Sequence, residues 1–212
     1  MTTLQSSAFR SVLGRLEAAA AGDDDLHFPA ERLERADARE RADLMAEAYL
    51  PISPQAGHLM YALTRSARPA TVVEFGTSYG ISTLHLAAAV RDNGVGHVFS
   101  TELSEVKVAA ARANLAEAGL ADVATVLAGD ARETLADLPG PIGLALLDGW
   151  KDLCLPVLRL IEDRLAPGAI LLGDDTDLPS LQPYLDYVRD PANGYLSVLY
   201  PVGDGMEISC RL

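Results

Sequence analysis

Apolar residues fall into two rhythms along this chain. Over the first fifty positions they recur at helical spacing, and Leu4, Phe9, Val12, Leu13 and Leu16 form one stripe among alanines that favour helix. The pattern predicts helices over 4–21 and 30–50, parted by Asp23-Asp24-Asp25, which reads as a solvated turn. Tyr49-Leu50-Pro51-Ile52-Ser53-Pro54 reads as an extended linker, because proline disfavours helix in the residue before it. Ser53 and Pro54 then supply an N-cap and a first-turn proline for a helix over 54–66.

From Val72 onward, short β-branched runs alternate with helical segments. Strands are expected at 72–75, 97–101, 124–127, 142–147 and 169–172. Helices are expected near 81–92, 104–118, 131–138, 153–165 and 178–188. Two further strands, 195–200 and 206–211, flank Pro201-Val202-Gly203-Asp204-Gly205 as a hairpin. Five alternations and a closing hairpin predict an α/β, Rossmann-like fold. Its seven-stranded sheet is mostly parallel with an antiparallel terminal hairpin, and helices cover both faces. The expected division is an N-terminal helical extension over 1–50 and the sheet domain over 51–212.

Composition narrows the partners. The 212 residues carry a formal net charge of −13, which argues against nucleic acid or an anionic membrane surface. Cys154 and Cys210 form no framework of paired spacings and suit unpaired thiols in a reducing cytoplasm. No leader pattern opens the chain, and no apolar run approaches the ~20 residues of a membrane span. A cytoplasmic protein is expected. Only two lysines occur, Lys107 and Lys151, so each merits inspection.

The chemistry gathers at the ends of the expected strands. Thr71-Val72-Val73-Glu74-Phe75-Gly76-Thr77-Ser78-Tyr79-Gly80 reads as strand, glycine turn and helix start. Its glycines permit a tight turn and close approach of backbone to a ligand, and the next helix offers free N–H groups. The spacing is not the G-x-G-x-x-G of dehydrogenases. It resembles motif I of class I S-adenosylmethionine-dependent methyltransferases, whose cationic ligand suits a carboxylate better than a pyrophosphate cradle would. Glu102 ends the next strand, where an acid accepts hydrogen bonds from ribose hydroxyls. Asp130, after Gly129, is placed to accept from an adenine amino group. Both acids also stand where helices begin, so capping is the competing reading.

A second stretch, Leu147-Asp148-Gly149-Trp150-Lys151-Asp152, joins a strand-ending aspartate to the only tryptophan and one of the two lysines. The following strand ends in Asp174-Asp175. Adjacent parallel strands lie about 4.8 Å apart, which lets Asp148 and Asp174 or Asp175 converge on one ion. Oxygen-only ligands suit a hard cation such as Mg²⁺, and no His or Cys cluster is offered for zinc. Helix-capping acids are again the alternative.

Together, Val72–Ser82, Glu102, Asp148-Gly149-Trp150-Lys151-Asp152 with Leu155-Pro156, and Asp174-Asp175 resemble the cation-dependent, catechol-type O-methyltransferases. Ser53-Pro54-Gln55-Ala56-Gly57 is similar to a stretch of the bacterial and plant branch. The likeness spans roughly residues 50 to 212. It implies S-adenosyl-L-methionine held by Ile52, Glu74, Gly76, Ser78, Ser82, Glu102, Asp130, Asp148 and Trp150. It also implies Mg²⁺ or another divalent cation on Asp148, Asp174 and Asp175, and Lys151 as general base. Like charge from the cation is expected to lower the pKa of Lys151. A small catechol-like or vicinal-diol acceptor and a homodimer follow from the same likeness. A cation-independent methyltransferase acting on a sugar, polyketide or nitrogen nucleophile is the rival, as is a non-catalytic cofactor-binding module. Two departures stand out. Asp175 replaces the family's usual Asn and adds a negative charge. Gly149 stands where a larger residue is common and is expected to widen the floor of the site.

Overall fold

The computed structural model describes residues 2–212. The N-terminal stripe forms α1, Ser7–Ala20, capped by Ser6, whose Oγ accepts from Phe9 N. Phe9, Val12, Leu16 and Ala20 are buried, and Leu4 and Leu13 pack against them. Each large side chain so buried contributes about 1.5–3 kcal/mol. That burial lies in the same core as the sheet, so the stripe is spent within the chain.

The expected single helix over 30–50 is two, α2 Ala30–Arg35 and α3 Ala38–Leu44. The break comes at Asp37, whose side chain accepts from Glu40 N as an N-cap and so starts a new helix. The acidic triplet is a short 3-10 turn, but Asp23 is not merely solvated. Its carboxylate accepts from Tyr49 N at 3.0 Å and Leu50 N at 2.7 Å, tying the start of this segment to its end. Ser53 caps α4, Pro54–Ala67, with Pro54 in the first turn, as the sequence predicts.

The rest alternates. β1 is Thr71–Phe75, α5 Ile81–Asn93, β2 His97–Glu102, α6 Glu105–Glu117 and β3 Ala124–Ala128. Then come α7 Ala131–Thr134, β4 Ile142–Leu147, α8 Lys151–Ile161, β5 Leu165–Asp174, α9 Gln182–Arg189, β6 Tyr195–Tyr200 and β7 Met206–Arg211. The seven strands run in the order β3-β2-β1-β4-β5-β7-β6. Only β7 pairs antiparallel with its neighbours, β5 and β6. Successive residues of β1 feed opposite faces. Val72 joins the core under α1, α4 and α5, while Val73 and Phe75 join the core under α8 and α9. Among the described residues no helix is long and apolar enough to cross a membrane.

The chain runs outward from β1 through β2 to β3 and then crosses back to place β4 on the other side of β1, so a crevice opens beyond the carboxyl ends of β1 and β4. This is where open α/β sheets hold ligands.

Candidate active site

A cavity of about 600 Å³ occupies that crevice, within the range of small-molecule sites. Its floor is the turn after β1. Gly76 has φ +102°, and a Cβ there would lie 2.7 Å from Gly149 N and 2.8 Å from Asp148 C and O. Asp148 N donates to Phe75 O at 2.9 Å, so the ends of β1 and β4 are locked together at this point. Ser78 is left-handed at φ 46°. Its N–H donates to Glu102 Oε2 at 2.8 Å, and its Oγ donates to Tyr49 O at 2.6 Å. The Tyr79 hydroxyl reaches Ala46 O at 2.9 Å, and the Tyr49 and Tyr79 rings stack 4.0 Å apart. The N-terminal segment is thereby stitched to the glycine turn and forms one wall of the cavity.

Of the residues expected to hold a cofactor, Ile52, Gly76, Ser78, Ser82, Glu102, Asp148 and Trp150 line this cavity. Two do not. Glu74 is fully buried behind the turn. Strand alternation points it under α5, and the β1–β2 register sets it opposite Ser100. The hydroxyls of Thr83 and Ser100 donate to its Oε2, and Oε1 has no partner. Burial pushes its pKa up to about 7, although Ser100, Ser82 and Thr83 pull the other way. Asp130 caps a helix, α7, and Arg132 holds its carboxylate through Nη2 at 2.6 Å.

Glu74 makes the stability of the empty protein depend on pH. Its folded pKa is raised above the ordinary 4.5. Its contribution is therefore full below about 4.5 and lost as pH rises through about 7. Buried His85 has the opposite sign. Burial lowers its pKa from 6.5 to about 4, so its contribution fades as pH falls through that window. Glu74→Gln separates the two. Relative to wild type it is expected to gain about 2–3 kcal/mol between pH 5 and pH 8. Urea unfolding at both pH values measures this, and parallel pH dependences for the two proteins would refute the assignment.

The Asp-x-Trp-Lys-Asp segment lines the same cavity. Lys151 opens α8, and its Nζ donates to Asp148 Oδ1 at 2.6 Å and pairs with Asp175 Oδ2 at 2.9 Å. Burial opposes that charge, but Asp148 and Asp175 outweigh it and hold the ammonium well above the ordinary lysine range. In this arrangement Lys151 is a protonated clamp, with its pKa raised rather than lowered as expected for a cation-loaded site. Asp174 is 7% exposed, and burial, then Asp148 and Asp175, push it up to about 8. The three aspartates share one corner, yet among the described residues no three His, Cys, Asp or Glu side chains stand in ligand geometry. Lys151 occupies the space between two of them. The donors themselves fit a hard cation: all are oxygens, and three carboxylates face one ammonium. Asp175 is left-handed at φ 57°, a conformation that Asp and Asn adopt more readily than most residues.

Gly149 does not widen the floor. A Cβ there would lie 2.5 Å from the Phe75 ring, so the phenyl group fills the space a side chain would take. Sequence reading also missed much of the lining, Arg41, Phe75 and Lys107 among it. Arg41, from α3, forms a bidentate pair with Asp152 at 2.9 Å on each arm and lies 4.8 Å over the Trp150 ring. Nothing local in the sequence joins positions so far apart. Lys107 carried a signal, its rarity.

A family model described as "Methyltransferase domain" matches residues 73–176. A protein named as an O-methyltransferase from Mycobacterium sp. (strain JLS) is 30% identical over 190 residues, covering 82% of this chain and 84% of that protein. The chain belongs to the S-adenosylmethionine-dependent O-methyltransferase family. Mouse catechol O-methyltransferase is 28% identical over 71% of this chain and 61% of its own length. The chain thus spans less than two thirds of the length of several curated relatives it matches. Among solved structures, cofactor-bound Rv0187 from MTB superposes with a TM-score of 0.71 at 23% identity, covering 94% of this chain and 89% of that one. That likeness bears on the fold alone.

Proposed function

We propose that this methyltransferase moves a methyl group from S-adenosyl-L-methionine to a hydroxyl of a small catechol-like or vicinal-diol acceptor, assisted by a divalent cation. The observation that carries the reading is one cavity lined by two groups, Glu102 with the Gly76–Ser78 turn and Asp148 with Lys151 and Asp174, which meet where Gly76 packs against Asp148. The first suits a nucleoside, with Glu102 accepting from ribose hydroxyls and the tight Gly76 turn admitting close approach. The second suits an oxygen acceptor, the kind named in a relative's description, catechol O-methyltransferase.

A neutral phenol, with a pKa of about 10, is a poor nucleophile at pH 7. Asp148, Asp174 and Asp175 are the residues that would hold a hard dication, which would supply positive charge to offset a phenolate oxygen. Lys151 stands beside those carboxylates. It holds or takes the acceptor's proton, depending on how much negative charge Asp148 and Asp175 leave on it. Trp150 and Ile52 exclude water from the space between. Alignment of acceptor and methyl supplies much of the remaining acceleration.

The test is methyl transfer to catechol followed by mass spectrometry, with and without a strong chelator. Monomethyl ether that falls at least about tenfold on chelation, and returns with Mg²⁺, is expected. Product unaffected by chelation would favour the cation-independent reading with a sugar, polyketide or nitrogen acceptor. Cofactor binding with no product from any nucleophile would favour a binding module.

A further inference from the structure

Lys151 has carboxylate partners; Lys107 has none. It lies in the first turn of α6, is 4% exposed, and lines the cavity beside Glu102. Among the described residues its Nζ makes no hydrogen bond or ion pair. Its nearest aromatic neighbour is the Tyr79 ring, 5.7 Å away at the centroid. The two carboxylates whose charge acts on it are those of Glu102 and Asp23. Both are already engaged with backbone. Glu102 accepts from Ser78 N and Ser104 N, each at 2.8 Å, and Asp23 accepts from Tyr49 N and Leu50 N. A buried ammonium without a hydrogen-bond acceptor is costly. Its side chain lines the cavity, where a ligand can supply that acceptor.

We infer that Lys107 is a cofactor-binding residue whose Nζ donates to a ribose hydroxyl oxygen of the nucleoside, while that hydroxyl's proton points to Glu102. A hydroxyl both donates and accepts, so one group satisfies the carboxylate and the ammonium together. This goes beyond the acid-to-ribose contact and rests on the proposed S-adenosylmethionine site. It also assigns a use to the positive charge. The ammonium offsets Glu102 and Asp23 near the ribose, so the negative charge that attracts the sulfonium is concentrated around Asp148.

The experiment is calorimetric titration of S-adenosylhomocysteine and its 2′-deoxy and 3′-deoxy analogues into wild type, Lys107→Met and Lys107→Arg, with thermal melting as the fold control. Lys107→Met is expected to weaken S-adenosylhomocysteine about 10- to 30-fold, in line with loss of a charged hydrogen bond. For the analogue lacking the contacted hydroxyl the same substitution should cost less than about threefold, and Lys107→Arg should recover part of the affinity. An equal loss for all three ligands would mean that Lys107 merely supports the loop, and unchanged affinity would mean that it touches nothing; either result overturns the inference. Should the methionine variant not fold, Lys107→Leu removes the donor in the same way and gives the same comparison. Failure of the broader cofactor reading looks different, because wild type itself would then bind none of the three.

Discussion

Lys151→Met is expected to lower turnover with catechol by about 10²–10⁴-fold at saturating S-adenosylmethionine, the range of a lost acid–base group. Affinity for S-adenosylhomocysteine should change by less than about threefold, because Nζ contacts Asp148 and Asp175 rather than Glu102 or the Gly76 turn. Methionine keeps the length and the packing of the stem, so the loss reports the ammonium. The structure adds a discriminating variant. With Nζ bridging two carboxylates, one role for Lys151 is purely electrostatic. Lys151→Arg keeps that charge but has no accessible neutral form. Full turnover in the arginine variant would make Lys151 a clamp. Loss in both variants, measured by kcat at constant cofactor saturation, makes it the base. Unchanged turnover in Lys151→Met would remove the residue from the mechanism.

Gly76→Ala is expected to abolish measurable cofactor binding. Backbone at φ +102° costs a residue with a side chain on the order of 1–3 kcal/mol. The new methyl would also meet backbone atoms of Asp148 and Gly149 at 2.7–2.8 Å. Neither neighbour is the free end of a flexible side chain, so relief requires the ends of β1 and β4 to part. That parting breaks the Asp148 N to Phe75 O bond and widens the crevice. Equilibrium dialysis with labelled S-adenosylmethionine measures the binding, and circular dichroism shows whether the sheet survives. Wild-type affinity in this variant would show that the turn does not face the ligand.

The sheet was legible from sequence because its buried parallel strands are short apolar runs that end at glycine or acid. The hairpin boundaries at 195–200 and 206–211 agree with the strands found. Residues whose role depends on a partner distant in sequence were harder to read. Glu74 looked like a ligand because it ends a strand, but its direction follows from alternation along β1 and from Ser100 opposite on β2. For Asp130 the capping alternative is the one the fold bears out, and the Arg132 ion pair was the part not read. Gly149 read as added space, and only the fold brings the Phe75 ring over it. The break at Asp37 was a local signal, an N-cap residue overridden by the alanine-rich pattern around it. The gathering of Asp148, Lys151, Asp174 and Asp175 was legible, since consecutive parallel strands bring their ends together. Their order was not, because which carboxylate takes the ammonium depends on distances of a few tenths of an ångström.

A crystal grown with S-adenosylhomocysteine and Mn²⁺ tests the core of this account, since the manganese can be located by its anomalous scattering. The account predicts the nucleoside between Gly76 and Glu102, with an anomalous peak on the Asp148 and Asp174 carboxylates and Lys151 beside it. A nucleoside bound elsewhere, or a saturated crystal with no anomalous peak at those aspartates, would contradict it.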